Sequence, residues 1–262
     1  MNSIITRIGN KNYNLDLHNN RIDFLDTRFY ITESGQYVPS VTTILEAYPK
    51  GKEYYDWLKK HGEDADTIRD EAGDRGSIVH KLTEQYDNGD PVSLMDEQGN
   101  INFNLFEWSC FEKYVEFRTR FEVDIHAIEC NMSSDILGFA GTMDRDMTFK
   151  FKGKRYLCDI KTSNNIWDTH WLQMVAYRKL AAELNGADRF DGQAIIWLNA
   201  KTRSEGKKDS CQGAGWQVIF DEESPQQQWE IFQATKKLWD AKNGSMKPRQ
   251  TSYKLNYQLK TA

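Results

Sequence analysis

The sequence predicts an α/β fold, on three observations. Two β-rich runs on either side of the turn-like residues 150–154 make an antiparallel hairpin. Stretches with helical periodicity, 103–120 and 167–184, lie before and after it. Two more β-prone runs, 193–198 and 216–220, follow. Together they describe one α/β domain with an N-terminal elaboration of hairpins and helices.

The elements follow in chain order. Residues 1–39 alternate short β-prone runs with Asn- and Gly-rich turns, and Ser34, Gly35 and Gln36 turn a hairpin that ends at Tyr37, Val38 and Pro39. Ser40 reads as the N-cap of a helix through Val41, Ile44 and Leu45 that stops near Pro49. A second helix, 53–60, carries Tyr54, Tyr55 and Trp57, aromatics of the kind that serve cores and interfaces. A long helical stretch over 64–86 is expected to be interrupted at Gly73 and Gly76, with Ile78, Val79, Leu82 and Tyr86 on its apolar face. Residues 87–102 are polar and turn-rich and read as an exposed loop. After the helix 103–120 (Phe106, Cys110, Tyr114, Phe117), the run 121–130 alternates as a strand, and by parity Glu129 joins Val123, Ile125 and Ala127 on the apolar side. The helix 167–184 sets Gln173 and Tyr177 one turn apart, with Met174, Val175, Ala181 and Leu184 free to pack elsewhere. A closing helix over 225–242 has Ser224 as its cap and Pro225 in its first turn.

The chain has 262 residues, 39% hydrophobic and 28% charged, as in soluble globular proteins. It shows neither a signal-peptide core nor a long apolar run, so a cytoplasmic protein without a membrane span is expected. Cys110, Cys130, Cys158 and Cys211 lie far apart, which argues against zinc or an iron–sulfur cluster and makes them small buried residues. A net charge of −5 does not announce a nucleic-acid binder, yet local potential and a bound metal can outweigh it. Two stretches are locally basic: Lys201, Arg203, Lys207 and Lys208, and the tail from Lys236. Either is equally a solvated face.

The hairpin concentrates the chemistry. Asp144 falls opposite or diagonal to Asp159–Lys161, and Asp159 and Lys161 share one strand face. Two carboxylates on a half-buried ribbon repel one another unless a cation neutralises them, and hard oxygen donors suit Mg²⁺. The plainer alternative is an Asp–Lys surface pair with an unrelated Asp beside it. Glu129, an inward carboxylate at a strand end, points the same way. A helical histidine such as His80 is by itself more often a hydrogen-bonded boundary residue than a ligand.

Gly76-x-x-x-His80, Glu129, Gly141-Thr142-Met143-Asp144, Asp159-Ile160-Lys161-Thr162 and Gln173-x-x-x-Tyr177, in this order, resemble the RecB-like branch of the PD-(D/E)xK nuclease superfamily. The segment 38–45 ahead of them is similar to the mitochondrial genome maintenance exonucleases and their bacteriophage relatives. The resemblance covers residues 37–198. It implies a restriction-endonuclease-like mixed β-sheet flanked by helices, with an α-β-β-β-α-β core in 103–262 and the hairpins and helices of 1–102 packed on it.

The resemblance also implies roles. His80, Asp144, Asp159 and the carbonyl of Ile160 would hold one or two Mg²⁺ (or Mn²⁺) ions. Lys161 would polarise the attacking water or stabilise phosphorane charge, with Glu129 as a helper carboxylate. Gln173 and Tyr177 would order the site and contact DNA, with Thr162, Ser163, Lys201 and Arg203 as further DNA contacts. No iron–sulfur cluster is carried over, because the cysteines lack that spacing. The expected activity is a metal-dependent DNA exonuclease on single-stranded ends, in replication, recombination or repair, with any helicase, recombinase or single-strand-binding partner a separate chain. The alternatives are an endonuclease of the same fold and a catalytically silent DNA-binding or protein-interaction module.

Overall fold

The computed structural model describes residues 5–8, 11–16, 21–24, 27–200, 213–223 and 225–244, with side chains from Arg28 onward. Its strands are β1 (Ile5–Ile8), β2 (Lys11–Asp16), β3 (Arg21–Phe24), β4 (Thr27–Ile31), β5 (Tyr37–Pro39), β6 (Val123–Ser134), β7 (Phe139–Phe149), β8 (Lys154–Lys161), β9 (Gly192–Trp197) and β10 (Gln217–Asp221). Its helices are α1 (Val41–Leu45), α2 (Lys52–His61), α3 (Ala65–Asp87), α4 (Leu105–Arg120), α5 (Asp168–Asn185) and α6 (Gln226–Asn243). The expected Ser224 cap and the basic group Lys201–Lys208 lie outside the described residues, as does Cys211.

The central sheet has the order β10-β9-β8-β7-β6. β8 and β9 run parallel and the other pairs antiparallel, so the sheet is mixed. The α/β class follows directly. The parallel pair is joined by α5, the crossover that parallel neighbours require. The N-terminal strands make a second antiparallel sheet in sequence order, and a bridge from Ser40 to Ala140 joins its last strand to β7.

Each face of the central sheet is covered. On one, Val79 of α3 and Cys110, Tyr114 and Phe117 of α4 pack on Tyr156, Cys158, Ile160 and Ile196. On the other, α1, α5 and α6 pack through Ile44, Leu172, Val175, Leu180 and Phe232 on Phe139, Leu157 and Ile195. Local chemistry explains the boundaries. Ser40 accepts a hydrogen bond from the Thr43 amide, and Asn104 and Glu107 form a reciprocal capping box that starts α4. Gly153 takes φ +64° in the β7–β8 turn, a conformation that a side chain resists.

Several expectations are corrected. Gly73 and Gly76 do not interrupt α3, which runs unbroken for 23 residues, since a glycine costs a helix only about 1 kcal/mol. Tyr54, Tyr55 and Trp57 are not core, since α2 buries no residue. Leu184 is 53% exposed rather than packed. Pro225 sits at the cap of α6, one position before its first turn. Asp87, expected in an exposed loop, is the last residue of α3, and its side chain is fully buried. The strand that holds Glu129 extends to Ser134, and its register shifts between Ile125 and Ala127. Val123 and Ile125 therefore pack on the α4 side and Ala127 on the α5 side, so they share no face. No helix among the described residues is long and apolar enough to cross a membrane.

Candidate metal centre

Three elements converge where α3 passes the middle of β6 and β7. His80 lies on α3, Glu129 on β6 and Asp144 on β7, and one potential ligand atom from each lies within 4.8 Å of the others. Glu129 is placed there by a φ of +45°, a conformation non-glycine residues seldom adopt. The ladder pairs Ile128 with Arg145 and Cys130 with Met143 but leaves Glu129 out. The alternating pattern grouped Glu129 with Val123, Ile125 and Ala127, which share no face; the kinked backbone is what brings Glu129 beside His80 and Asp144.

The His80 ring is oriented by a backbone carbonyl. Its Nε2 lies 3.0 Å from the Ile160 oxygen, which can only accept, so Nε2 carries the hydrogen. Nδ1 then faces Glu129 Oε1 and Asp144 Oδ2, each at 3.5 Å. Burial pulls the imidazolium pKa down, but Asp144 and Glu129 outweigh it and raise it to about 9. The Ile160 carbonyl, expected as a ligand, is thus engaged as the group that aims His80.

Asp144 Oδ2 also accepts the Ile160 amide at 2.7 Å, which ties β7 to β8. Beside it Asp159 is buried, and no backbone amide or neutral side chain donates to its carboxylate. Lys161 Nζ lies 2.6 Å from Asp159 Oδ2 as an ion pair, without hydrogen-bond alignment. Burial, opposed by Lys161 and helped by Asp144, pushes the Asp159 carboxyl above its ordinary range. Burial acts to lower Lys161, but Asp159 and Asp144 more than offset it and its pKa is raised, so it remains an ammonium ion.

A polar row leads away from Lys161. Its Nζ donates to Gln173 Oε1 at 3.2 Å, and Gln173 Nε2 donates to the Tyr177 hydroxyl at 3.0 Å. Tyr177 packs against Gly141 so closely that a Cβ there would lie 2.3 Å from its Cε1. Gly76 is different: a Cβ there would make ordinary contact, 3.4 Å from Thr162 Oγ1.

Thr162 and Ser163 leave the sheet beside this row. Ser163 uses its hydroxyl within its own turn, donating to the Asn165 carbonyl, and its own carbonyl accepts the Trp197 indole. Next to them an open groove of about 820 Å³ is lined by Lys113, Asn164, Asn165 and Asn199 among others. It lies off the carboxyl ends of the parallel pair β8 and β9, where α/β sheets commonly receive ligands. Lys201 and Arg203 lie outside the described residues.

Sequence reasoning missed the support behind Glu129. Arg145 is fully buried and donates to Glu129 Oε1 (3.0 Å), Asp87 Oδ2 (2.8 Å), Thr83 Oγ1 (3.0 Å) and the Asp144 carbonyl (2.7 Å). Asp87 also accepts from Tyr114 and Arg118. The available signal was the triplet Asp144-Arg145-Asp146, three charges in the middle of an otherwise largely apolar strand. His170 went unnoticed too: burial and the neighbouring Lys161 lower its pKa to about 3, so it stays neutral.

The donor set suits a cation. An imidazole nitrogen and two carboxylates converge, and a third buried carboxylate, Asp159, has the Lys161 ammonium at one oxygen. The group can therefore hold a metal ion. The chain matches no protein-family model and no curated protein.

Proposed function

We propose that this chain is a metal-dependent deoxyribonuclease of the PD-(D/E)xK type, an exonuclease acting on single-stranded DNA ends. The observation that carries the reading is the pairing of two features: the His80–Glu129–Asp144 group and, on the adjacent strand, the buried Asp159 paired with the Lys161 ammonium. The succession α4-β6-β7-β8-α5-β9 is the order the motif resemblance implies, which supports it.

His80, Glu129 and Asp144 would hold the ion, with Asp159 supplying the further negative charge. The mix of one nitrogen and several oxygens admits Mg²⁺ or Mn²⁺. Such an ion would supply Lewis-acid polarisation of a phosphate oxygen and a bound water made more acidic than bulk water. The chain's own groups do the rest. Lys161, held protonated, is a fixed positive charge where negative charge grows on the phosphoryl group, and it does not act as a general base. Gln173 sets the position of that amine, and Tyr177 sets Gln173. Lys113 and the Asn164, Asn165 and Asn199 amides offer a cation and neutral donors for the sugar–phosphate backbone along the groove.

The test is digestion of end-labelled DNA with Mg²⁺ or Mn²⁺ against a chelator control, comparing linear with circular and single- with double-stranded substrates. Metal-dependent loss of linear single strands, with circles intact, is the expected result. Cleaved circles would make it an endonuclease, and no cleavage of any substrate would overturn the reading.

A further inference from the structure

We infer that the centre takes one divalent ion rather than two, because Arg145 already supplies the positive charge that a second ion would bring to Glu129. The inference rests on the nuclease reading and specifies how that site is loaded.

Geometry comes first. The Arg145 guanidinium is pinned at three nitrogens: Nε on Asp87, Nη2 on Thr83, and Nη1 shared between Glu129 Oε1 and the Asp144 carbonyl. It is fully buried, and Asp87 in turn is held by Tyr114 and Arg118. A side chain so anchored cannot swing away to let an ion approach Glu129 from that side. One Glu129 oxygen is committed to a cation before any metal arrives.

Charge then limits occupancy. Four carboxylates, Asp87, Glu129, Asp144 and Asp159, meet three fixed cations, Arg118, Arg145 and Lys161, in one connected group. With His80 neutral as a ligand, one negative charge is left over. A single divalent ion reverses it to one positive charge, which the bridging phosphodiester of a bound strand cancels. A second divalent ion would leave two positive charges uncompensated in a half-buried site, where each costs more than in water. Asp146, the nearest other acid on β7, cannot help, since Arg155 and Arg189 already neutralise it.

The test is Mn²⁺ titration of the full chain, followed by calorimetry and by electron paramagnetic resonance, with and without a phosphorothioate oligonucleotide that resists cleavage. Wild type should bind one Mn²⁺ per chain in both conditions, without the spin–spin coupling of an ion pair. Arg145→Met should admit a second ion at least tenfold more tightly than wild type does, whereas Arg145→Lys should keep the count at one. Thermal melts report whether each variant folds; should Arg145→Met not fold, the wild-type count alone decides. Two coupled ions in wild type would overturn the inference and leave the nuclease reading standing. An unchanged count in folded Arg145→Met would remove Arg145 from the explanation. No bound ion in wild type would sink the nuclease reading itself, and this inference with it.

Discussion

Asp144 and Asp146 sit two residues apart on β7, and both are buried, yet their surroundings differ in kind. Asp146 is closed off by fixed charges: Arg155 grips both its oxygens at 2.7 and 2.8 Å, and Arg189 adds a contact at 2.9 Å. Asp144 has an amide, a histidine that can lose its proton, and a second carboxylate for neighbours. A structural ion pair is complete without a ligand. A site is incomplete, and the missing charge is its function.

The sharpest way to break that contrast is to neutralise each acid in turn. Asp144→Asn keeps an acceptor for the Ile160 amide, so the protein should fold while cleavage falls about a thousandfold. The rise in melting temperature on adding Mn²⁺ should vanish with it. Asp146→Ala should do the reverse. It strands two arginines and should cost about 3 kcal/mol, the low end for a broken buried pair because both side chains keep roughly 30% exposure. Its metal response and its cleavage per folded molecule should remain. Chemical denaturation alongside Mn²⁺-shifted melts separates the two outcomes.

A smaller effect distinguishes the titratable partner from the fixed ones. His80 has a folded pKa of about 9 against an ordinary 6.5, so without metal its contribution is fully present below pH 6.5. That contribution, up to about 3 kcal/mol, should be lost as pH rises through about 9. Metal reverses the sign, because the ion must displace the proton: Mn²⁺ affinity should climb up to tenfold per pH unit over the same window. Melting curves from pH 6 to 9.5 with Mn²⁺ or chelator would show the two slopes, and a His80→Gln variant should flatten both.

The smallest expected effect extends the comparison to glycines. Gly141→Ala drives a methyl into the Tyr177 ring and should cost about 1–3 kcal/mol, with cleavage falling further as the Tyr177–Gln173–Lys161 row shifts. Gly76→Ala meets only ordinary contact in an unbroken helix and should stabilise by up to about 1 kcal/mol. Equal destabilisation at the two positions would mean that the close approach at Gly141 is not what selects glycine there.

Local chemistry made much of this legible. The hairpin turn at 150–154, the Ser40 cap, the shared face of Asp159 and Lys161 and the Gln173–Tyr177 pair all follow from short-range rules. The misses share a different cause. The register shift before Ala127 and the positive φ at Glu129 leave no mark on an alternating pattern. Asp87 reads as the start of a polar loop because its partners, Tyr114, Arg118 and Arg145, come 27, 31 and 58 residues later. Tyr54 and Trp57 read as core or interface residues because composition says what a side chain prefers, not whether the fold brings a neighbour to cover it.

Helix α3 carries a consequence of its own. His80, which aims a nitrogen at Glu129 and Asp144, and Asp87, which anchors the arginines, ride the same continuous rod about 10 Å apart. A tilt that improves one end must disturb the other. Between those two turns, ligand capture and chain stability form a single mechanical property, and an engineer who adjusts one there is adjusting both.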